Sequence, residues 1–195
     1  MPMTLEHLSE ADRLVEAAVA AEASGDTPLS NQLLRRCLEV APRHPLAHYL
    51  LGADCAQRGD NGNALLHLVT AVEGAPGLLE ARLQLGLLWL VTGHPQTASQ
   101  VLAPITALPG DQAIGRFGVA LAALAEDAIE AACEALRQGL AMPCVNAALL
   151  ADMRGLLQRI EAATAAAADP AMDADRQALQ HGMAVSAYRR DPDVA

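Results

Sequence analysis

One interval governs this sequence. Gly25, Gly59 and Gly93 stand 34 residues apart, and Leu34, Leu68, Leu102 and Leu136 keep the same spacing. So do Ala64, Ala98 and Ala132, and the pairs Pro42 and Pro76, Pro109 and Pro143, and Gly52 and Gly86. Several series in one register define a structural repeat. A period in the range of about 20–50 residues means that each unit is one supersecondary element, which buries its apolar face only by stacking on its neighbours. That requirement constrains the chain more than any other feature it has.

The content of a unit is clearest in residues 45–78. Pro45 opens a helix, where its missing N–H leaves nothing unsatisfied. Leu51 and Gly52 fall mid-helix, and the glycine admits a neighbouring helix at close range, at about 1 kcal/mol in helix propensity. Gly59-Asp60 ends that helix and turns the chain. A second helix follows with Ala64, Leu68 and Ala71 on one face, and Pro76 stops it. Residues 79–112 repeat the scheme with Leu85, Gly86, Trp89, Gly93, Ala98, Leu102 and Pro109. Residues 11–44 are a weaker copy, with Ala17, Ala18 and Ala21 in the first helix but Gly25, Leu34 and Pro42 retained. Each unit therefore reads as a helical hairpin.

These hairpins resemble tetratricopeptide repeats. The family's pattern is an aromatic, Leu-Gly and a second aromatic in the first helix, then Ala, an aromatic, Ala and Pro in the second. Leu51, Gly52, Ala64, Leu68, Ala71 and Pro76 match it in one unit, and Leu85, Gly86, Trp89, Ala98 and Leu102 in the next. The departures are His48 and Arg82 at the first aromatic position, Cys55 at the second, and leucine at every third-aromatic position. With only four aromatic residues in the chain, Tyr49, Trp89, Phe117 and Tyr188, the core has to be built from Leu, Val and Ala. No stretch alternates with period two, so no strands are expected.

The resemblance implies an all-α fold: a right-handed α-solenoid of about four hairpins with a C-terminal capping helix. The expected organisation is a lead-in at 1–10, units at 11–44, 45–78 and 79–112, a degenerate unit at 113–146, a capping helix at 147–168 and a tail at 169–195. The fourth unit keeps Ala132, Leu136 and Pro143 but has Glu126-Asp127 where the turn glycine belongs. Asn146 caps the following helix, on which Leu149, Leu150, Met153, Leu156, Leu157 and Ile160 form an apolar stripe. An end unit of a stacked array exposes its neighbour's apolar face, which such a helix would cover. In the tail, Met172, Arg176, Leu179 and Met183 fall on one side of a short helix; docking on the array and remaining free are both open for it.

By the same resemblance, the groove of the array is lined by the fifth, ninth and twelfth positions of each unit. These are Val15, Val19 and Glu22; Tyr49, Ala53 and Ala56; Leu83, Leu87 and Leu90; and Phe117, Leu121 and Leu124. All but Glu22 are apolar, and an exposed apolar trough of that size calls for a cover. The cover is a partner's apolar or amphipathic helix docked in the groove, the chain's own tail, or a second copy in a homodimer. Against this stands the alternative that any one of these side chains packs between hairpins. Members of the family that grip a C-terminal carboxylate use Lys, Arg and Asn in the groove, as charge-assisted hydrogen bonds require. None of the twelve positions carries one.

Net charge is −10, which disfavours nucleic acid and anionic membranes as partners. Met1 to Glu10 lacks the basic-then-apolar order of a secretory signal, and the most apolar stretch, Leu78 to Val91, is interrupted by Glu80, Arg82 and Gln84. A cytoplasmic location is the resulting expectation. Cys37, Cys55, Cys133 and Cys144 show no C-x-x-C spacing and read as small buried thiols. The histidines are scattered. Only His44 and His48 stand four apart, and with Pro45 between them they read as solvated or loop residues rather than metal ligands. Glu126, Asp127, Glu130 and Glu134 read as a solvated acidic face. No catalytic residue, metal site or cofactor is expected. The expectation for function is a non-enzymatic adaptor or assembly factor that holds an apolar or amphipathic segment of a partner protein. The alternatives are a secretion chaperone of the tetratricopeptide class for an apolar client and a regulatory subunit of a separately encoded enzyme.

Overall fold

The structure is a computed structural model that describes residues 9–110, 112–144 and 146–167. Among these residues the regular structure is helical throughout, as the lack of period-two patterning predicts. The helices are α1 (Glu10–Ala23), α2 (Thr27–Val40), α3 (Pro45–Gln57), α4 (Asn61–Gly74), α5 (Leu79–Val91), α6 (Pro95–Thr106), α7 (Ala113–Ala125), α8 (Ile129–Leu140) and α9 (Ala147–Ala167). The tail from 169 and most of the lead-in lie outside the described residues.

Four turns join the helices of successive hairpins, and they are built alike. Gly25, Gly59 and Gly93 hold φ at 81°, 76° and 82°, the left-handed region that a Cβ disfavours. In each, the amide after the glycine donates to the carbonyl five residues back: Asp26 to Ala21, Asp60 to Cys55 and His94 to Trp89, at 2.8–2.9 Å. The fourth turn makes the same bond, Ala128 to Ala123 at 2.9 Å, around Asp127 at φ 59°. The turn geometry therefore survives the loss of its glycine.

The chain divides into two compact units, Met1–Ala81 and Arg82–Ala195. In the first, α1 pairs with α2, α3 with α4, and α2 with α3. Ala11, Val15, Ala18, Leu34, Cys37, Ala47 and Leu51 form one buried cluster that seats α1, α2 and α3 on a common core. Its helices start on side-chain caps. Ser9 and Asp12 form a capping box on α1, Asp26 accepts from the Leu29 amide and Asp60 from the Asn63 amide. On α3 the cap is His44, whose Nδ1 accepts from the Ala47 amide at 3.3 Å. Such caps contribute about 1 kcal/mol each. Gly52 lets α4 come close: a Cβ there would lie 2.8 Å from Leu68 Cγ.

In the second unit the same device recurs, since a Cβ on Gly86 of α5 would lie 2.6 Å from Leu102 Cγ of α6. Helix α7 packs on α6 with Gly118 against Ile105, and on α8 with the Phe117 ring against Gly139. Here α6, α7 and α8 begin at His94, Gln112 and Ala128 without a side-chain cap. Asn146 caps α9, accepting from the Leu149 amide at 3.0 Å. Leu149, Met153, Leu156, Leu157 and Ile160 of α9 are buried. Helices α8 and α9 are joined at their surface by Arg137 and Glu161 at 2.6 Å, an exposed pair of small energetic weight.

Candidate functional site

The twelve positions expected to line a groove have unlike fates. In the first unit, Val15 is buried in the core cluster, so it is a packing residue. One turn later Val19 is 49% exposed, and Glu22 is exposed beyond it. On α3, Tyr49, Ala53 and Ala56 are half-buried. The first unit thus keeps accessible, mainly apolar side chains on both of its odd-numbered helices. Glu16 and Glu22, both exposed, flank Val19 with negative charge.

In the second unit the corresponding positions are closed to solvent. Leu83, Leu87 and Leu90 of α5 are buried, and so are Phe117, Leu121 and Leu124 of α7. On α5, Leu85, Leu88 and Val91 are buried too. Buried side chains thus occupy groove-register and other positions of this helix alike, and register does not separate them. Phe117 has a specific partner: its ring fills the space a Cβ on Gly139 would need, with Cε1 at 2.5 Å. It belongs to the α7–α8 contact.

Among the described residues, a group of linked polar side chains lies at the junction of the first two hairpins. His44 Nε2 lies 3.2 Å from Asp12 Oδ1, while its Nδ1 accepts from the Ala47 amide. One neutral tautomer, with the proton on Nε2, satisfies both contacts. Hydrogen bonds from the Ser9 hydroxyl and then from His44 hold the Asp12 carboxyl below its ordinary range. His48, expected as a solvated or loop residue, is only 9% exposed. Its Nδ1 lies 2.8 Å from Nδ1 of His67, and its Nε2 lies 3.0 Å from the Pro42 carbonyl. Burial, ahead of the charges on His48 and Arg35, pushes the His67 imidazole below its usual value. The sequence hint was the substitution of an aromatic position by His48, but its partner lies 19 residues away on another helix.

The remaining chemical groups are dispersed. Cys37, Cys55 and Cys133 are buried free thiols, whereas Cys144 is half-buried. Burial raises the Cys37 and Cys133 thiols, which keeps them protonated and poor nucleophiles at neutral pH. Glu126, Asp127, Glu130 and Glu134 are exposed. Among the described residues no three His, Cys, Asp or Glu side chains converge on a point that could hold a metal ion. No described helix is long and apolar enough to cross a membrane.

No family model and no curated protein matches the sequence. Solved structures do match the fold. TTC0263, a thermophilic TPR protein of Thermus thermophilus, is similar over 90% of this chain and 99% of its own, with TM-score 0.59 and 19% identity. MamA 41-end from Desulfovibrio magneticus RS-1 is similar over 96% of this chain and 99% of its own, with TM-score 0.54 and 16% identity. A MamA RS-1 double mutant aligns over 92% and 94% with the same TM-score and identity. The chain has the tetratricopeptide-repeat fold.

Proposed function

We propose that this tetratricopeptide-fold chain is a non-enzymatic interaction module whose first unit receives an amphipathic helix from a partner protein. The observation that supports the reading is the accessibility of the groove-register side chains on α1 and α3. Val19 is half-exposed, Tyr49, Ala53 and Ala56 remain partly open, and Glu16 and Glu22 stand beside Val19. A folded core leaves such residues accessible at a cost in unburied apolar surface, at about 25 cal/mol per Å². A docked apolar face recovers that loss, and helix-in-groove recognition uses anchors at the spacing these helices present. The acidic margin favours a segment whose apolar face is bordered by Lys or Arg. The leucines of α5 and α7 are buried, so the proposal rests on the first unit alone.

The test is a set of synthetic amphipathic helical peptides with one apolar face and either basic or acidic flanks, measured by fluorescence anisotropy. The expected result is binding of the basic-flanked peptide, weakened in Val19→Asp and Ala53→Asp while far-UV circular dichroism stays helical. Equal affinity of wild type and both variants, or preference for the acidic-flanked peptide, would remove these side chains as the docking surface.

A further inference from the structure

We propose that His48 and His67 form an acid-sensitive latch between α3 and α4, closed over a single shared proton and opened when both rings are charged. The case begins with hydrogen counting. The two Nδ1 atoms are 2.8 Å apart, a distance that accommodates one hydrogen and no more. His48 Nε2, 3.0 Å from the Pro42 carbonyl, must carry a proton, because a carbonyl only accepts. In the neutral pair, His48 therefore presents a bare Nδ1 and His67 donates into it.

One added proton is tolerated. It either charges His67, which goes on donating from Nδ1, or charges His48, which then donates from Nδ1 to a His67 tautomer protonated on Nε2. A second added proton is not tolerated. It sets two N–H groups and two positive rings face to face, with ring centroids only 5.0 Å apart.

The two rings differ in their surroundings. His48 is almost wholly buried, whereas His67 is half-buried with its Cβ close to Gly52 of α3. Of the charges that act on His67, Arg35 comes from α2 and opposes protonation, and Asp60 at the start of α4 favours it. Desolvation outweighs both, and the net displacement is downward. The sign follows from linkage. An imidazole depressed in the folded state is fully stabilising above its unfolded value of about 6.5 and loses that contribution as pH falls toward its folded value. Acid therefore weakens the second hairpin.

The experiment follows the melting temperature of the whole chain from about pH 7.5 to about pH 5, the range in which imidazoles change charge. Wild type is compared with His67→Gln, whose amide keeps a hydrogen bond in reach but cannot charge. Wild type is expected to lose more thermal stability on acidification than the variant. Imidazole ¹⁵N shifts of the wild type are followed over the same range and stand alone if His67→Gln does not fold. They are expected to show His67 titrating below the ordinary value, with His48 Nε2 protonated throughout. Equal pH slopes for the two proteins, or a His67 that titrates as an isolated imidazole near about 6.5, would overturn the proposal.

Discussion

Asp127 holds in the fourth hairpin the left-handed backbone that Gly93 holds in the third, at φ 59° against 82°. Both pivot a turn in which the next amide reaches the carbonyl five residues back. For an L-residue this conformation costs about 1–2 kcal/mol, reduced for Asp by its short polar side chain. Asp127→Gly is therefore expected to raise stability by up to about 1 kcal/mol, read as a higher denaturant midpoint at constant slope. Gly59→Ala, which imposes the same strain where none exists, should lower it by a similar amount, about 1 kcal/mol.

Close approach across α7 and α8 depends on Gly139. A Cβ there would lie 2.5 Å from Cε1 and 2.7 Å from Cδ1 of the buried Phe117 ring. The ring is rigid and enclosed, so Gly139→Ala should cost about 1–3 kcal/mol through overpacking. Phe117→Ala, which empties the same space, should cost about 3–5 kcal/mol. Thermal unfolding monitored by circular dichroism distinguishes these losses from an unaffected protein.

Leu121 and Val19 were expected on the same groove, yet one is 0% and the other 49% exposed. Leu121→Asp places a carboxylate in the α7 core without a partner and should destabilise by several kcal/mol, on the order of 3–5, with loss of helical signal. Val19→Asp should change the melting temperature little, within about ±0.5 kcal/mol. Similar behaviour of the two variants would contradict the assignment of Leu121 to core and Val19 to surface.

The Asp12 carboxyl is held below its ordinary value by Ser9 first and by His44 second. A carboxylate lowered in the folded state contributes stability above its unfolded value and loses it as pH falls through the folded one. His44→Ala should raise the Asp12 value toward that of a free aspartate, followed by the carboxyl ¹³C shift. An unchanged titration would mean that the contact with His44, 32 residues away, does not form in solution.

The hairpin order was legible because its signals are local. Gly25, Gly59 and Gly93 mark turns through the freedom of their own backbone, and Asn146 marks the start of α9 through an oxygen three residues from its donor. The fourth turn was half-legible: Asp127 stands at the expected position, but only coordinates show it adopting glycine's conformation. Groove-facing positions were the least legible part. A register transferred from a repeat pattern tells which way a side chain points along its own helix and nothing about what lies opposite.

By itself, the amino-acid order determined an all-helical chain of repeated hairpins, since period, caps and turn residues act within a few positions of one another. Tertiary structure alone decided that Leu83, Leu87, Leu90, Phe117, Leu121 and Leu124 are enclosed while Val19 is open, and that His48 meets His67. Exposure and hydrogen-bond partnership across helices are properties of packing, set by side chains distant in sequence, and no local pattern encodes them.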